Sequence, residues 1–115
     1  MIEELILNHL SEGVTEPVYT ETPPRPPERY YVIEHSGGGG DRFLARSQVI
    51  LQSVAESLYE AAAMNARAKA VMFTLTDLDA VTKVRLDTDY NFSDPVRKKR
   101  RYQAIYEVWH YEGGN

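Results

Sequence analysis

Hydrophobic positions along this chain repeat with two periods, and each change of period marks an element boundary. Ile2, Leu5, Ile6 and Leu10 recur at near-helical spacing, which predicts a short amphipathic helix over residues 2–11. Glu3 and Glu4 suit the positive end of its dipole, and Gly13 supplies a stop. Residues 17–20, Pro-Val-Tyr-Thr, read as a short strand. Tyr30 to His35 is dense in aromatic and β-branched side chains and predicts a longer one. From Phe43 to about Val54 the pattern alternates, with Arg46, Gln48, Ile50 and Gln52 on one face and Ser47, Val49, Leu51 and Ser53 on the other. The second face is the better core face, which leaves the first for water or a neighbouring subunit.

Between these two strands lie Gly37 to Gly40 and Asp41, and the expectation is a flexible hairpin loop over 36–41. The clearest helix runs from Leu58 to about Leu75, where Ser57 and Glu60 have capping-box spacing. Tyr59, Ala62, Ala66, Ala70 and Phe73 form a stripe at helical spacing, expected to lie across the sheet because alanine permits close approach. Ala80–Leu86 alternates as a strand whose apolar face is Ala80, Thr82, Val84 and Leu86. Residues 87–95 are rich in turn formers and read as a loop. The closing strand, about Lys99 to Tyr111, sets Tyr102, Ala104, Tyr106 and Val108 against Gln103, Ile105, Glu107 and Trp109, and residues 112–115 read as a frayed tail. Together these elements predict an α+β fold. A mostly antiparallel sheet of about four to five strands carries one long helix and a short N-terminal helix on one face.

Composition narrows the class. A length of 115 residues with 43% hydrophobic and 26% charged side chains fits a single globular domain, residues 1–115, with one core. There is no cysteine, which removes disulfides, thiolate nucleophiles and cysteine-containing zinc sites. The N-terminus carries Glu3 and Glu4 where a signal peptide needs positive charge, and no apolar stretch approaches the roughly 20 residues that span a bilayer. The expectation is a soluble protein made in the cytoplasm, without membrane partners.

Candidate chemistry fails position by position. The glycine run lacks the Lys-Ser/Thr and the helix start that phosphate loops need, since Asp41-Arg42-Phe43-Leu44 follows it. Asp87-x-Asp89-x-Asn91 imitates the start of a calcium loop, but Phe92 stands at the sharp-turn glycine and Lys98 at the bidentate glutamate. His9, His35 and His110 fall in separate elements without metal-ligand spacing. No nucleophile, zinc-protease or dinucleotide fingerprint is present, and no carboxylates are placed as an acid–base pair. The reading is a non-enzyme without cofactor or metal. Pro23, Pro24, Pro26 and Pro27 form a stiff extended connector, with a proline-rich ligand motif as the less favoured alternative.

Charge and surplus apolar surface point to partners instead. Net charge is −4, yet Arg97, Lys98, Lys99, Arg100 and Arg101 are consecutive. Two readings stay open for that run: a solvated strand entry, or contact with DNA phosphates or an acidic partner surface. Ile105 and Trp109 lie opposite Tyr106 and Val108, giving the last strand more apolar surface than one helix layer covers. With Ile50, they are the candidate subunit interface.

Several segments taken in order resemble the tail-terminator (tail-completion, head–tail joining) proteins of long-tailed bacteriophages and prophages. They are the N-terminal Met-Ile-Glu-Glu-Leu-Ile-Leu-Asn-His-Leu, the Pro-Val-Tyr with its proline-rich turn, and Tyr-Tyr-Val-Ile-Glu. Ser57 to Ala62, Leu86 to Asp94 and Arg101 to Tyr106 complete the set, which spans nearly all of residues 1–111. The resemblance implies a virion structural protein with an α+β fold and no active site. It would form a homo-oligomeric ring, commonly hexameric, that caps the tail tube in the bacterial host cytoplasm. The implied partners are the major tail tube protein, the head connector or stopper, and DNA passing without sequence specificity through a channel bordered by Arg97–Arg101. A head-side connector or stopper subunit of the same module is the alternative, and a small nucleic-acid-binding module a more distant one.

Overall fold

In the computed structural model, which describes residues 2–111, the first half of the chain runs α1 (Ile2–Gly13), β1 (Val18–Tyr19), β2 (Tyr30–Gly40) and β3 (Leu44–Ala55). The second half runs α2 (Leu58–Phe73), continued by a 3-10 turn (Thr74–Asp77), then β4 (Val81–Asn91) and β5 (Arg100–Tyr111). The expected frayed tail, residues 112–115, lies outside the described residues.

The fold is α+β. Its five strands are ordered β1-β2-β3-β5-β4. Every neighbouring pair is antiparallel except β1 with β2, which run parallel through Val18 and Tyr19, so the sheet is mixed. The parallel pair follows from the long proline-bearing connection, which carries the chain back before β2 starts. β3 and β4 point the same way, with α2 as the crossover and β5 inserted between them, a split βαβ arrangement.

Both helices pack on one face of the sheet. Ile6 and Leu10 from α1, and Ala61, Met64, Ala68 and Met72 from α2, meet Tyr31, Ile33, Val49, Leu51, Ala104, Tyr106 and Val108. The alternation in β3 and β5 sorts their side chains as expected, with Val49, Leu51, Tyr106 and Val108 buried beneath the helices. Ser57 caps α2 by accepting from the Glu60 N–H at 3.1 Å, as its spacing predicts. Gly13 lets α1 approach α2 closely: a Cβ there would sit 2.7 Å from a Val71 methyl.

Three expectations change. The glycine run is strand rather than loop: β2 continues through Gly40, pairing Gly37–Gly40 with Gln48–Ala45 after a register shift at Ser36. Main-chain pairing needs no side chains, and at Gly38 and Gly40 a Cβ would collide with the backbone of β3. Gly40 also has φ of +113°, open only to glycine at low cost. The turn is shifted to Asp41–Phe43, where the Asp41 carboxylate accepts from Phe43 and Leu44 N–H at 2.9 and 2.8 Å. Those two donors hold its pKa below the usual carboxylate value.

The second change concerns α2. Ala61, Met64, Asn65, Ala68 and Met72 face the core, whereas Tyr59, Ala66, Ala70 and Phe73 are exposed. α2 carries two apolar stripes, and the one expected to meet the sheet faces out except at Phe73, whose ring lies edge-on to Tyr106 of β5 at 6.5 Å. The third change is in β4, which extends through Asp87–Asn91 rather than ending at Leu86. Register shifts near Thr82 and Asp87 let it do so, and they turn Asp89 inward toward α2.

Candidate functional site

The sheet face opposite the helices is built from alternate residues of β2 to β5, and all three predicted interface residues lie on it, Ile50 beside Ile105 and Trp109 beyond Glu107. Ile50 and Ile105 are register partners on the adjacent central strands β3 and β5. Trp109 lies on the same face of β5, beside Arg46 of β3 and Lys83 of β4. All three are half-buried in the lone chain.

Polar rows flank this apolar centre. On one side Arg101 donates to Gln52 Oε1 at 3.1 Å, Gln52 to Gln103 at 2.7 Å, and Gln103 to the Tyr90 hydroxyl at 2.6 Å. That chain of bonds crosses β3, β5 and β4. On the other side Glu107 receives Arg46 at 3.4 Å and Arg85 at close range, while Arg85 also reaches Asp87 at 2.9 Å. Lys83 and Arg85 lie over the Trp109 ring, 4.8 and 5.4 Å from its centroid. Cross-strand pairs of this kind satisfy the polar groups of an uncovered sheet without hiding its apolar row.

One end of this face is closed. Tyr30 and Val54 are register partners there and are buried, with Tyr19 edge-on to Tyr30 at 6.0 Å. The basic run borders this end and divides in two. Lys99 donates to the Pro27 and Glu28 carbonyls at 3.2 and 2.7 Å and pairs with Glu56 at 2.7 Å, tying the proline segment to the start of β5. Arg101 is held by Gln52. Arg97, Lys98 and Arg100 are exposed, and Arg97 has a loose contact with Asp94 at 3.6 Å. A shallow cleft lies between Arg97, Lys99, Arg101 and the loop Asn91–Asp94.

The other chemical candidates are occupied structurally. His9 bonds the Thr74 hydroxyl at 2.8 Å, His35 meets Glu3 at 3.2 Å, and His110 bonds Ser47 at 2.8 Å. Asp89 accepts from Lys69 at 2.7 Å and Asn65 at 2.8 Å, and these bonds hold its pKa below the usual value. Among the described residues no group of three or more His, Asp or Glu has metal-holding geometry. No helix of the described chain is long and apolar enough to cross a membrane.

Pattern reading missed the Arg46–Glu107–Arg85 ladder and the glutamine row. Each needs the β3–β5–β4 order, which no local period reveals. The two-sided apolar pattern of α2 was visible as Ala61, Met64, Ala68 and Met72 alongside Tyr59, Ala66, Ala70 and Phe73.

No family model matches the chain, and no curated protein matches it. Among solved structures, a chain from the virion of a native gene transfer agent particle has the same fold. The match has a TM-score of 0.50 at 13% identity and covers 92% of this chain and 84% of that one. At that identity the likeness speaks for the fold.

Proposed function

We propose that this chain is a structural subunit of a virion, forming a ring that terminates the tail tube and joins it to the head connector. The observation that carries this reading is the fold likeness to a virion chain along nearly the full length of both. The resemblance of the segments from Met1 to Tyr106 to tail terminators supports the specific role. The sheet face that carries Ile50, Ile105 and Trp109, over which no helix of the described residues lies, is the surface this reading uses for assembly.

The basic run gains a narrower role. Lys99 and Arg101 hold the chain's own backbone and side chains, so among the described residues the exposed Lys98 and Arg100, with the loosely held Arg97, are the ones that would meet DNA in a channel or an acidic partner. Reversing these three to Glu should leave particles assembled while lowering DNA delivery by roughly tenfold or more. Unchanged delivery would remove the channel role.

Electron microscopy of particles made without this chain tests the main proposal. Separate heads and tails, or tails of uncontrolled length, are the expected outcome. Joined particles whose heads lose DNA would favour the head-side connector, and intact particles that deliver DNA would overturn both.

A further inference from the structure

Because β4 keeps its strand geometry through Asn91, Tyr90 and Phe92 fall on one face of the sheet, the face opposite the helices. Phe92 follows the last strand residue and donates its N–H to the Arg101 carbonyl at 2.8 Å, which fixes its position beside β5. The Tyr90 hydroxyl accepts from Gln103 at 2.6 Å, and the two rings stand edge-on with centroids 5.9 Å apart. Phe92 is 49% exposed and Tyr90 36%, so the pair forms an aromatic surface in water and adds nothing to the core.

Beside Phe92 lies the cleft between the loop Asn91–Asp94 and the side chains of Arg97, Lys99 and Arg101, with a volume of about 480 Å³. That falls within the roughly 300–1,000 Å³ of small-ligand clefts. Its charge is lopsided. Asp94 is the one carboxylate among the lining residues, and it already accepts from the Val96 N–H at 2.9 Å and lies 3.6 Å from Arg97. Lys99 is fixed by two carbonyls and by Glu56, and it forms a wall. Arg101 donates one N–H to Gln52, and a guanidinium has five to give. Arg97 is exposed, with Lys98 and Arg100 close to it in the chain. Five consecutive cations repel one another, and Asp94 and Glu56 do not balance them. An anion entering the cleft relieves that repulsion.

We infer that this corner binds single-stranded DNA, with a phosphate in the cleft against Arg97 and Arg101 and an unpaired base stacked on Phe92. The inference rests on the DNA contact proposed for the basic run and names the form of DNA it meets. Cations alone would accept any polyanion, an acidic protein surface included. The exposed ring beside them adds a demand for a flat, apolar group next to the negative charge, and a nucleotide supplies both. Inside a duplex each base is covered on both faces by its neighbours, so Phe92 has nothing to stack on. An unpaired base offers it a face. Gln52 and Gln103 are hydrogen-bonded to each other and to Tyr90, so these amides serve the sheet. Recognition then comes from stacking and charge, which tolerate any base sequence.

Fluorescence anisotropy with the full-length chain tests this, using a labelled oligothymidine about ten nucleotides long and a hairpin duplex of similar charge. The single strand should bind about tenfold more tightly than the duplex. Phe92→Ala and Phe92→Leu should each lower single-strand affinity about tenfold, leaving duplex binding and melting temperature nearly unchanged. Leucine keeps the apolar bulk, so a loss shared by both variants belongs to the ring. Arg97→Gln should weaken both DNA forms and reduce the slope of log affinity against log salt by about 0.7 on the single strand. Equal binding of the two forms, or a single-strand affinity indifferent to Phe92→Ala, overturns the inference and leaves a plain phosphate contact. No binding of either form at low salt also overturns it, while DNA delivery by the charge-reversed particles judges the channel reading separately. Thymidine monophosphate competing as well as the oligomer would assign the corner to a free nucleotide. Polyglutamate competing as well would assign it to an acidic protein, and either result overturns the inference.

Discussion

The two faces of the central sheet are built from the same strands on opposite principles. Beneath the helices, Leu51, Ala104, Tyr106 and Val108 are fully buried in a continuous apolar layer. On the other side Ile50 and Ile105 form one apolar row between a glutamine ladder and an arginine–glutamate ladder. The covered face is committed to the fold, because its hydrophobic area is removed from water within one chain. The open face keeps its polar groups paired and its apolar row accessible. It can stay in water until a partner arrives.

The strongest way to break this comparison is a pair of truncations one residue apart in β3. Leu51→Ala should lower unfolding free energy by about 3 kcal/mol through lost burial and a cavity, whereas Ile50→Ala, only partly buried, should cost about 1 to 2 kcal/mol. Urea denaturation measures both, and equal losses would mean that the open face is part of the core. A second pair sharpens the covered face. The Tyr31 hydroxyl donates to the Met64 carbonyl at 2.9 Å, while the buried Tyr106 hydroxyl has no partner among the described residues. Burial pushes the pKa of both phenols up, so neither ionises in the folded state near neutral pH. Tyr31→Phe should then cost about 1 to 2 kcal/mol and Tyr106→Phe stay within about 0.5 kcal/mol of the parent, read by the same titrations.

Acid sensitivity comes next. Asp89 has its folded pKa lowered by Lys69 and Asn65, so its contribution is fully present above the ordinary carboxylate value near 4 and is lost as pH falls below that value through the lowered folded one. Asp89→Asn should flatten the decline of melting temperature below about pH 4, and an unchanged acid limb would remove Asp89 as a contributor. The smallest effect belongs to the open face. Glu107→Gln should change stability by less than about 1 kcal/mol because both arginines are about half exposed, and thermal melts resolve whether the ladder carries more.

How much of this was legible depends on which residues are asked about. β3 and β5 could be sorted face by face because a strict period of two leaves one choice, and Val49, Leu51, Tyr106 and Val108 made it plain. The Ser57 cap was equally local. The expectation for α2 failed for a physical reason. Two stripes of similar hydrophobicity share that helix, and aromatic Tyr59 and Phe73 made the outward one look heavier than Ala61, Met64, Ala68 and Met72. Asp87 and Asp89 read as turn formers because strand propensity does not anticipate pairing with β5 or the Lys69 and Asn65 partners of Asp89. In the candidate site, Ile50, Ile105 and Trp109 are each legible as apolar residues on the polar side of their strands. Their meeting on one surface required β5 to insert beside β3.

Local backbone geometry thus determined what the chain could settle by itself: the elements, their periods, the helix cap and the α+β class. These follow from side-chain spacing within a few residues of each position. Tertiary structure decided the rest. Long-range pairing turned four glycines into a strand end, and layering chose which stripe of α2 met the sheet. The same strand order placed Ile50, Ile105 and Trp109 on the face that no helix of the described residues covers. Such choices depend on which surfaces compete for one core, a competition that local periodicity does not record.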